Sequence, residues 1–209
     1  MEISPDQLPW KSMYKLFIGS VLPRPIGWIS TVNAEGQPNL APYSFFNVAS
    51  VNPPHVLFAP MIRSTDSTTK DTLNNVRHTE EFVVNIVTED IAEAMNLTAT
   101  ELPADVDEFD FAGIEQAPSV AVKPPRVAAS PIHFECKLAQ IIEFDTEPGS
   151  GSLVIGRVVH IHVDERVQIG EDKIDLDALK PIGRLAGTSY TRVTDVFDLV
   201  RKPPRVEKK

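Results

Sequence analysis

The segment Arg63 to Asn74, RSTDSTTKDTLN, sets a guanidinium, a run of hydroxyls and an ammonium at the start of a helical pattern. Hydroxyl donors at Ser67, Thr68, Thr69 and Thr72, with charge from Arg63 and Lys70, are the groups that hold a phosphate where a helix begins. Upstream, Arg24 to Asn47 reads RPIGWISTVNAEGQPNLAPYSFFN, with small and hydroxyl residues beside aromatics. A flat ring needs a narrow slot in which backbone groups bond its polar edge. Trp28, Ser30 and Thr31 come from the first extended run, and Ala41, Pro42, Tyr43, Ser44, Phe46 and Asn47 from the next. Ala41 and Ser44 are small enough for close approach. Together the two segments read as a site for a planar cofactor that bears a phosphate.

Each half has a plainer reading. A capped surface helix ordinarily starts like Thr68 to Asp71, with threonine at the N-cap and an acid three residues on. In that box the Asp71 carboxylate turns back to the Thr68 amide, which explains an acid beside a phosphate seat. On the first strand Trp28 and Ser30 share one face and Thr31 takes the other. Ser30 and Thr31 therefore cannot both line one slot by side chain, and one of them is expected to act through its backbone. Trp28, Phe45 and Phe46 would equally suit an ordinary aromatic core, which is the reading adopted for Phe45.

Further along, Gly183 to Tyr190 (GRLAGTSY) reads as a loop by its glycines, with Arg184 and Tyr190 as site candidates and a structural loop as the alternative. His160 and His162 share a strand face, but no further Cys, His, Asp or Glu completes a ligand set, so no metal is assigned. His133 is read as part of a solvated or hydrogen-bonded strand face, and Cys136 as a core thiol. The acidic run at Asp105, Asp107, Glu108 and Asp110 reads as a solvated loop, with Phe109 and Phe111 as a lid. No catalytic acid, base or nucleophile emerges.

The elements that must position these groups are mostly strands. Ile26–Val32 reads as a strand, Asn33–Gly36 as a hairpin loop, and Asn39–Val48 as one extended region that Pro42 confines to an edge or a bulge. His55–Pro60 and Phe82–Val87 follow as strands. Thr69–His78 and Glu89–Ala99 have helical spacing. Ile132–Leu138 alternates, with His133, Glu135 and Lys137 on the polar face, and Leu153–Asp164 returns after a turn at Glu147–Gly151. Six or more strands with two short helices predict an antiparallel barrel, mainly β with helical additions.

The 209 residues suit a single domain, with a core over about residues 15–195 and a mobile tail over 201–209. A net charge of −9 argues against nucleic-acid and anionic-membrane partners, so an anionic cofactor needs a local cationic seat. One cysteine excludes an internal disulfide. No signal peptide or spanning stretch is read, which points to the cytoplasm.

The pieces RPIGWIST, NLAPYSFFN, Pro53-Pro54, KDTLNN and GRLAGTSY, in this order, resemble the flavin reductase-like family, the flavoproteins with an FMN-binding split barrel. Ala186 stands where that family usually has a second glycine. The resemblance implies a split β-barrel of Greek-key type and a homodimer with the flavin near its interface. It implies that Lys70, Asp71 and Thr72, with Arg63 across the loop, form the phosphate end. Ala41 to Ser44 and Asn47 then meet the ring through backbone and small side chains. FMN is expected over FAD because the site is sized for one phosphate, with NADH or NADPH as hydride donor. The acceptor is left open among free flavin, an electron-acceptor protein such as an oxygenase, and ferric chelates. Two alternatives remain: an FMN electron carrier with little NAD(P)H turnover, and a non-enzymatic binding module on the same barrel.

Overall fold

A computed structural model describes residues 2–202. The basic tail from residue 203 on, with Pro203-Pro204, lies outside the described residues, and the expectation of a mobile tail falls largely there.

Helix α1 (Trp10–Ser20) precedes four strands, β1 (Gly27–Val32), β2 (Pro38–Tyr43), β3 (Phe46–Val51) and β4 (Pro54–Phe58). Helix α2 (Asp71–Thr79) leads to β5 (Glu81–Ile86), and α3 (Ala92–Leu97) and α4 (Glu108–Phe111) follow. Two short strands, β6 (Gln116–Ala117) and β7 (Arg126–Val127), come before the long hairpin of β8 (Ile132–Glu143) and β9 (Ser152–Val163). The chain continues through β10 (Gln168–Ile169), β11 (Lys173–Ile174), α5 (Leu176–Leu179), β12 (Ile182–Arg184) and β13 (Tyr190–Arg192).

The main sheet runs β2-β1-β5-β8-β9-β4-β3, antiparallel throughout. Its two edges, β2 and β3, are joined by Ser44 and Phe45 alone. Laid flat, seven strands would separate those edges by roughly 29 Å, whereas the link from Tyr43 to Phe46 reaches about 11 Å at most. The sheet must therefore curl until its edges meet, leaving the barrel split at Ser44-Phe45. The expected extended region Asn39–Val48 is thus two strands on opposite lips of the split.

Two cores lie on either side of this wall. Ile29, Tyr43, Phe46, Phe58, Leu73, Val76, Phe82 and Cys136 fill the barrel with their neighbours. Trp28, Leu40, Met95, Phe109, Val127 and Ile182 form a second core outside it. Strand β1 divides its side chains between the two, so all six of its residues are buried. Its two buried hydroxyls, Ser30 and Thr31, are accommodated by hydrogen bonds to the Pro125 carbonyl and from Asn39 and Asn75. Gly27 is required here: a Cβ would stand 2.7 Å from the Phe46 ring.

Arg24 is buried and ties the barrel to its additions. It donates to the carbonyls of Ile18 and Val21 at the end of α1, to the Leu185 carbonyl and to the Ser44 hydroxyl.

Several expectations are corrected. The N-cap of α2 is Lys70, with no side-chain cap. The Thr68 amide instead donates to Asp66, and Asp71 pairs with Arg63, so no capping box forms. The β8 face carrying His133 and Glu135 is buried, because the segment before β7 folds over it. Glu135 accepts from the amides of Val120 and Ala121, and His133 meets the Val127 carbonyl. The acidic run is not all solvated loop, since Phe109 is fully buried in the outer core within α4. Gly183–Tyr190 is a loop over residues 185–189, as read, but its ends belong to the paired strands β12 and β13.

Candidate functional site

A cavity opens where β2 meets the start of α2. It is lined by Ala41, Pro42 and Tyr43 of β2, by Arg63, and by Lys70, Asp71 and Thr72 of the helix start. The segment Thr98–Leu102 and Glu108 close the opposite side, and Asn39 adds to the floor.

Local sequence explains each wall. Strand β2 is a sheet edge, so one side of its backbone has no ladder partner. The Leu40 amide faces outward and donates to Glu108 at 3.0 Å. Because N–H and C=O of one strand residue point the same way and alternate along the strand, Pro42 shares that outward register. Its missing N–H therefore breaks no ladder bond, and its carbonyl is left facing the cavity side. On the floor, Asn39 donates to Thr72 at 3.0 Å and to Thr31 at 3.3 Å, and Asn75 donates to Thr31 at 3.0 Å. This network knits β1, β2 and α2 together and fixes Thr72. The far wall is anchored by Thr98, which accepts from the Trp28 indole at 2.9 Å and donates to the Met95 carbonyl.

The electrostatics are divided. Arg63 reaches Asp71 at 2.5 Å, and also bonds Thr68 and the Thr69 carbonyl. Lys70 meets Glu101 at 2.8 Å, and that contact holds the Glu101 carboxyl below its ordinary range. Burial pushes the Glu108 carboxyl up. Two features lack an internal partner. The N-terminus of α2 has no side-chain cap, so its first amides are open to a ligand. The Tyr43 hydroxyl is buried and makes no hydrogen bond, and burial raises the pKa of its phenol. Thr72 approaches that hydroxyl without completing a bond.

Of the sequence candidates, Ala41, Pro42, Tyr43, Arg63, Lys70, Asp71 and Thr72 come together here. The others lie elsewhere. Trp28 and Ser30 are fully buried, Trp28 bonding Thr98 and Ser30 donating to the Pro125 carbonyl. Thr31 sits beneath the floor, and the β1 backbone lies between β2 and β5. Ser44 bonds Arg24, Phe46 is in the barrel core, and Asn47 is exposed and accepts from the Val48 amide. Arg184 stacks over Tyr190 at 4.4 Å, and Tyr190 bonds Asn96, in the β12-β13 hairpin. Sequence reasoning missed Asn39, Thr98–Leu102 and Glu108. Asn39 opens the quoted NLAPYSFFN, and Glu108 was visible only as part of an acidic run.

Among the described residues no group of three or more His, Cys, Asp or Glu could hold a metal. No helix among them is long and apolar enough to cross a membrane.

A family model described as a flavin reductase like domain matches residues 18–172. A Halalkalibacterium halodurans protein, BH2278, named only as uncharacterized, is 40% identical over 204 residues, covering 96% of each chain. The crystal structure of nitrilotriacetate monooxygenase component B from Bacillus cereus is similar with a TM-score of 0.89 at 36% identity, over 95% of this chain and 98% of that one. The 2-nitrobenzoate 2-nitroreductase NbaA of Pseudomonas fluorescens is similar with a TM-score of 0.86 at 36% identity, over 100% and 99%.

Proposed function

This chain belongs to the flavin reductase-like family, and on that premise we propose that it is an FMN-binding oxidoreductase that takes hydride from NADH or NADPH. The observation that carries the cofactor assignment is the uncapped start of α2 opening into the cavity that Tyr43 lines, with the partnerless Tyr43 hydroxyl buried behind it. A helix N-terminus favours an anion, and an orphaned buried hydroxyl favours a polar ligand. The residues present fit a phosphate-bearing ligand: amides at the helix start, the Thr72 hydroxyl, and the Arg63 and Lys70 cations. Two cations stand against three carboxylates, Asp71, Glu101 and Glu108. With Arg63 paired to Asp71 and Lys70 to Glu101 the lining has no excess of positive charge, so it is the single open helix start that suits one phosphate group, which supports FMN over FAD.

When bound, the flavin supplies the hydride chemistry. The chain's own groups do the rest. Arg63, Lys70 and the α2 amides bind the phosphate. On the outward edge of β2 the Pro42 carbonyl offers backbone to the ring, and Thr98–Leu102 bounds the far side. Trp28 acts as a support through Thr98, and Thr31 through Asn39, which in turn bonds Thr72. No protein acid or base is needed for hydride transfer. We further propose that the chain acts as one domain, pairs as a homodimer, and works in the cytoplasm, where nicotinamide nucleotides are held. The names of the two neighbours, a monooxygenase component and a nitroreductase, support a partner oxygenase or a small aromatic as acceptor.

The test is an anaerobic visible spectrum of the purified protein with FMN, titrated with NADH and then NADPH. A perturbed flavin spectrum that bleaches at catalytic speed is the expected result, and the faster nucleotide is the donor. Bound flavin that stays oxidised would make the chain a carrier. A spectrum identical to free FMN would overturn the site.

A further inference from the structure

A second cleft runs from the cavity's cationic edge along helix α1. Arg63, Lys70 and Glu101 line both spaces, and α1 adds Trp10, Lys11, Tyr14 and Lys15. Residues four apart stand over one another on a helix, so Trp10 with Tyr14 and Lys11 with Lys15 form two adjacent lines, one aromatic and one cationic. Four cations face this cleft; Arg63 is paired with Asp71 and Lys70 with Glu101, which leaves Lys11 and Lys15 as its unpaired charge among the described residues, on a chain whose net charge is −9. The cleft encloses about 410 Å³ and continues, past Trp10, Tyr14 and Met61, into an apolar groove walled by Phe17, Phe45 and Phe144. The Trp10 ring is seated against Gly149, where a Cβ would stand only 2.5 Å from it.

Aromatic walls at one end and a cluster of cations at the other match a ligand with a flat base and a polyanion beside it. A lone phosphate would use only the cations, and a plain apolar compound only the groove. We propose that the α1 cleft binds a nucleoside diphosphate moiety, the base against Trp10 and Tyr14 and the two phosphates toward Lys11, Lys15 and the Arg63–Lys70 edge. The naming of a dinucleotide as its natural source rests on the oxidoreductase reading above; the binding of the diphosphate itself does not. That moiety occurs in nicotinamide dinucleotides and in FAD.

The experiment titrates ADP into the flavin-free chain and follows tryptophan emission excited at 295 nm. Trp10 is 38% exposed and Trp28 is fully buried, so a base stacking in the cleft quenches Trp10 against a constant background. The expected result is a saturable quench, lost in Trp10→Phe, with ADP affinity at least tenfold weaker in the Lys11→Ala/Lys15→Ala double variant. Both lysines are exposed, so the double variant leaves the core intact. Two further arms identify the source. ADP competing with NADH in flavin bleaching assigns the cleft to the nicotinamide dinucleotide. A preference for FAD over FMN that disappears in the double variant assigns it to FAD. No saturable quench, or one that the double variant leaves unchanged, overturns the proposal even if FMN binds normally. Normal ADP binding without FMN binding would overturn the cofactor reading and leave this one standing.

Discussion

Lys70 and Glu101 meet across the mouth of the cavity, Nζ to Oε1 at 2.8 Å, and the Thr65 hydroxyl donates to the other Glu101 oxygen at 3.2 Å. The Glu101 carboxylate thus holds the position at which an incoming phosphate would meet the ammonium. Glu101→Gln should therefore strengthen FMN binding. The pair is partly exposed, so the gain is bounded by about 1 kcal/mol, or roughly fivefold. Lys70→Ala should weaken FMN by about tenfold through loss of a charge-assisted contact. Riboflavin, which lacks the phosphate, should respond to neither change. Flavin fluorescence titrations of both ligands check this, and equal shifts for riboflavin and FMN would remove Lys70 from the phosphate seat.

The Tyr43 hydroxyl makes a second prediction. A buried polar group without a partner destabilises the chain that carries it, by about 1–3 kcal/mol. Tyr43→Phe should leave the flavin-free protein as stable as before, or up to about 2 kcal/mol more stable, while its FMN affinity falls. Urea unfolding with and without FMN measures both effects. A variant destabilised without flavin, with FMN affinity unchanged, would mean that the hydroxyl serves the barrel and not a ligand.

The barrel was largely legible because its strands obey local rules. The apolar run at β5, the hairpin turn before β9 and the edge position implied by Pro42 all come from side-chain pattern and backbone chemistry. Helix α1 was not legible: Pro9 stands at its N-cap with no capping side chain, so it lacks a start signal. The sequence leaves the face of His133 and Glu135 open between solvated and hydrogen-bonded, because alternation records polarity, not what folds over it; it is hydrogen-bonded. Their cover is irregular chain held by main-chain amides, which leaves no side-chain pattern. The cationic half of the site was readable in RSTDSTTKDTLN. The opposite wall was not, since Thr98–Leu102 is held there by Trp28, from a distant part of the chain.

His133 carries a pH prediction. Burial, with Arg126 and His162 nearby and Glu135 opposing them, lowers its pKa to about 4, against an ordinary value of about 6.5. Its Nε2 lies 2.9 Å from the Val127 carbonyl, which assigns the proton there and leaves Nδ1 without a partner. Between these two pKa values the unfolded chain binds the proton more strongly. His133 therefore contributes full stability above about pH 6.5, loses it as pH falls toward 4, and changes no further below. The whole effect is on the order of 3 kcal/mol. His133→Gln, which keeps a donor toward Val127 and cannot take a proton in this range, should show a shallower loss. Urea unfolding of both proteins at pH 7 and pH 4.5 gives the difference, and parallel losses would show that other groups control acid stability.

The segment after β13 bears on assembly. Val196, Phe197, Leu199 and Val200 are 61%, 78%, 84% and 91% exposed, on chain that forms no regular structure. Each such side chain gains about 1.5–3 kcal/mol on full burial, so an arm of this composition favours cover by another surface. A second copy is the occupant the family resemblance implies. The chain should run as a dimer at micromolar concentration in size-exclusion chromatography with light scattering. Replacing Phe197, Leu199 and Val200 together by serine should weaken the dimer at least tenfold without altering the circular dichroism, because none of the three contributes to either core. If the flavin lies near that interface, the same variant should also lose FMN affinity, and adding FMN should restore part of the dimer by linkage. A native chain that is monomeric under these conditions would instead leave the arm free for a partner of a different kind.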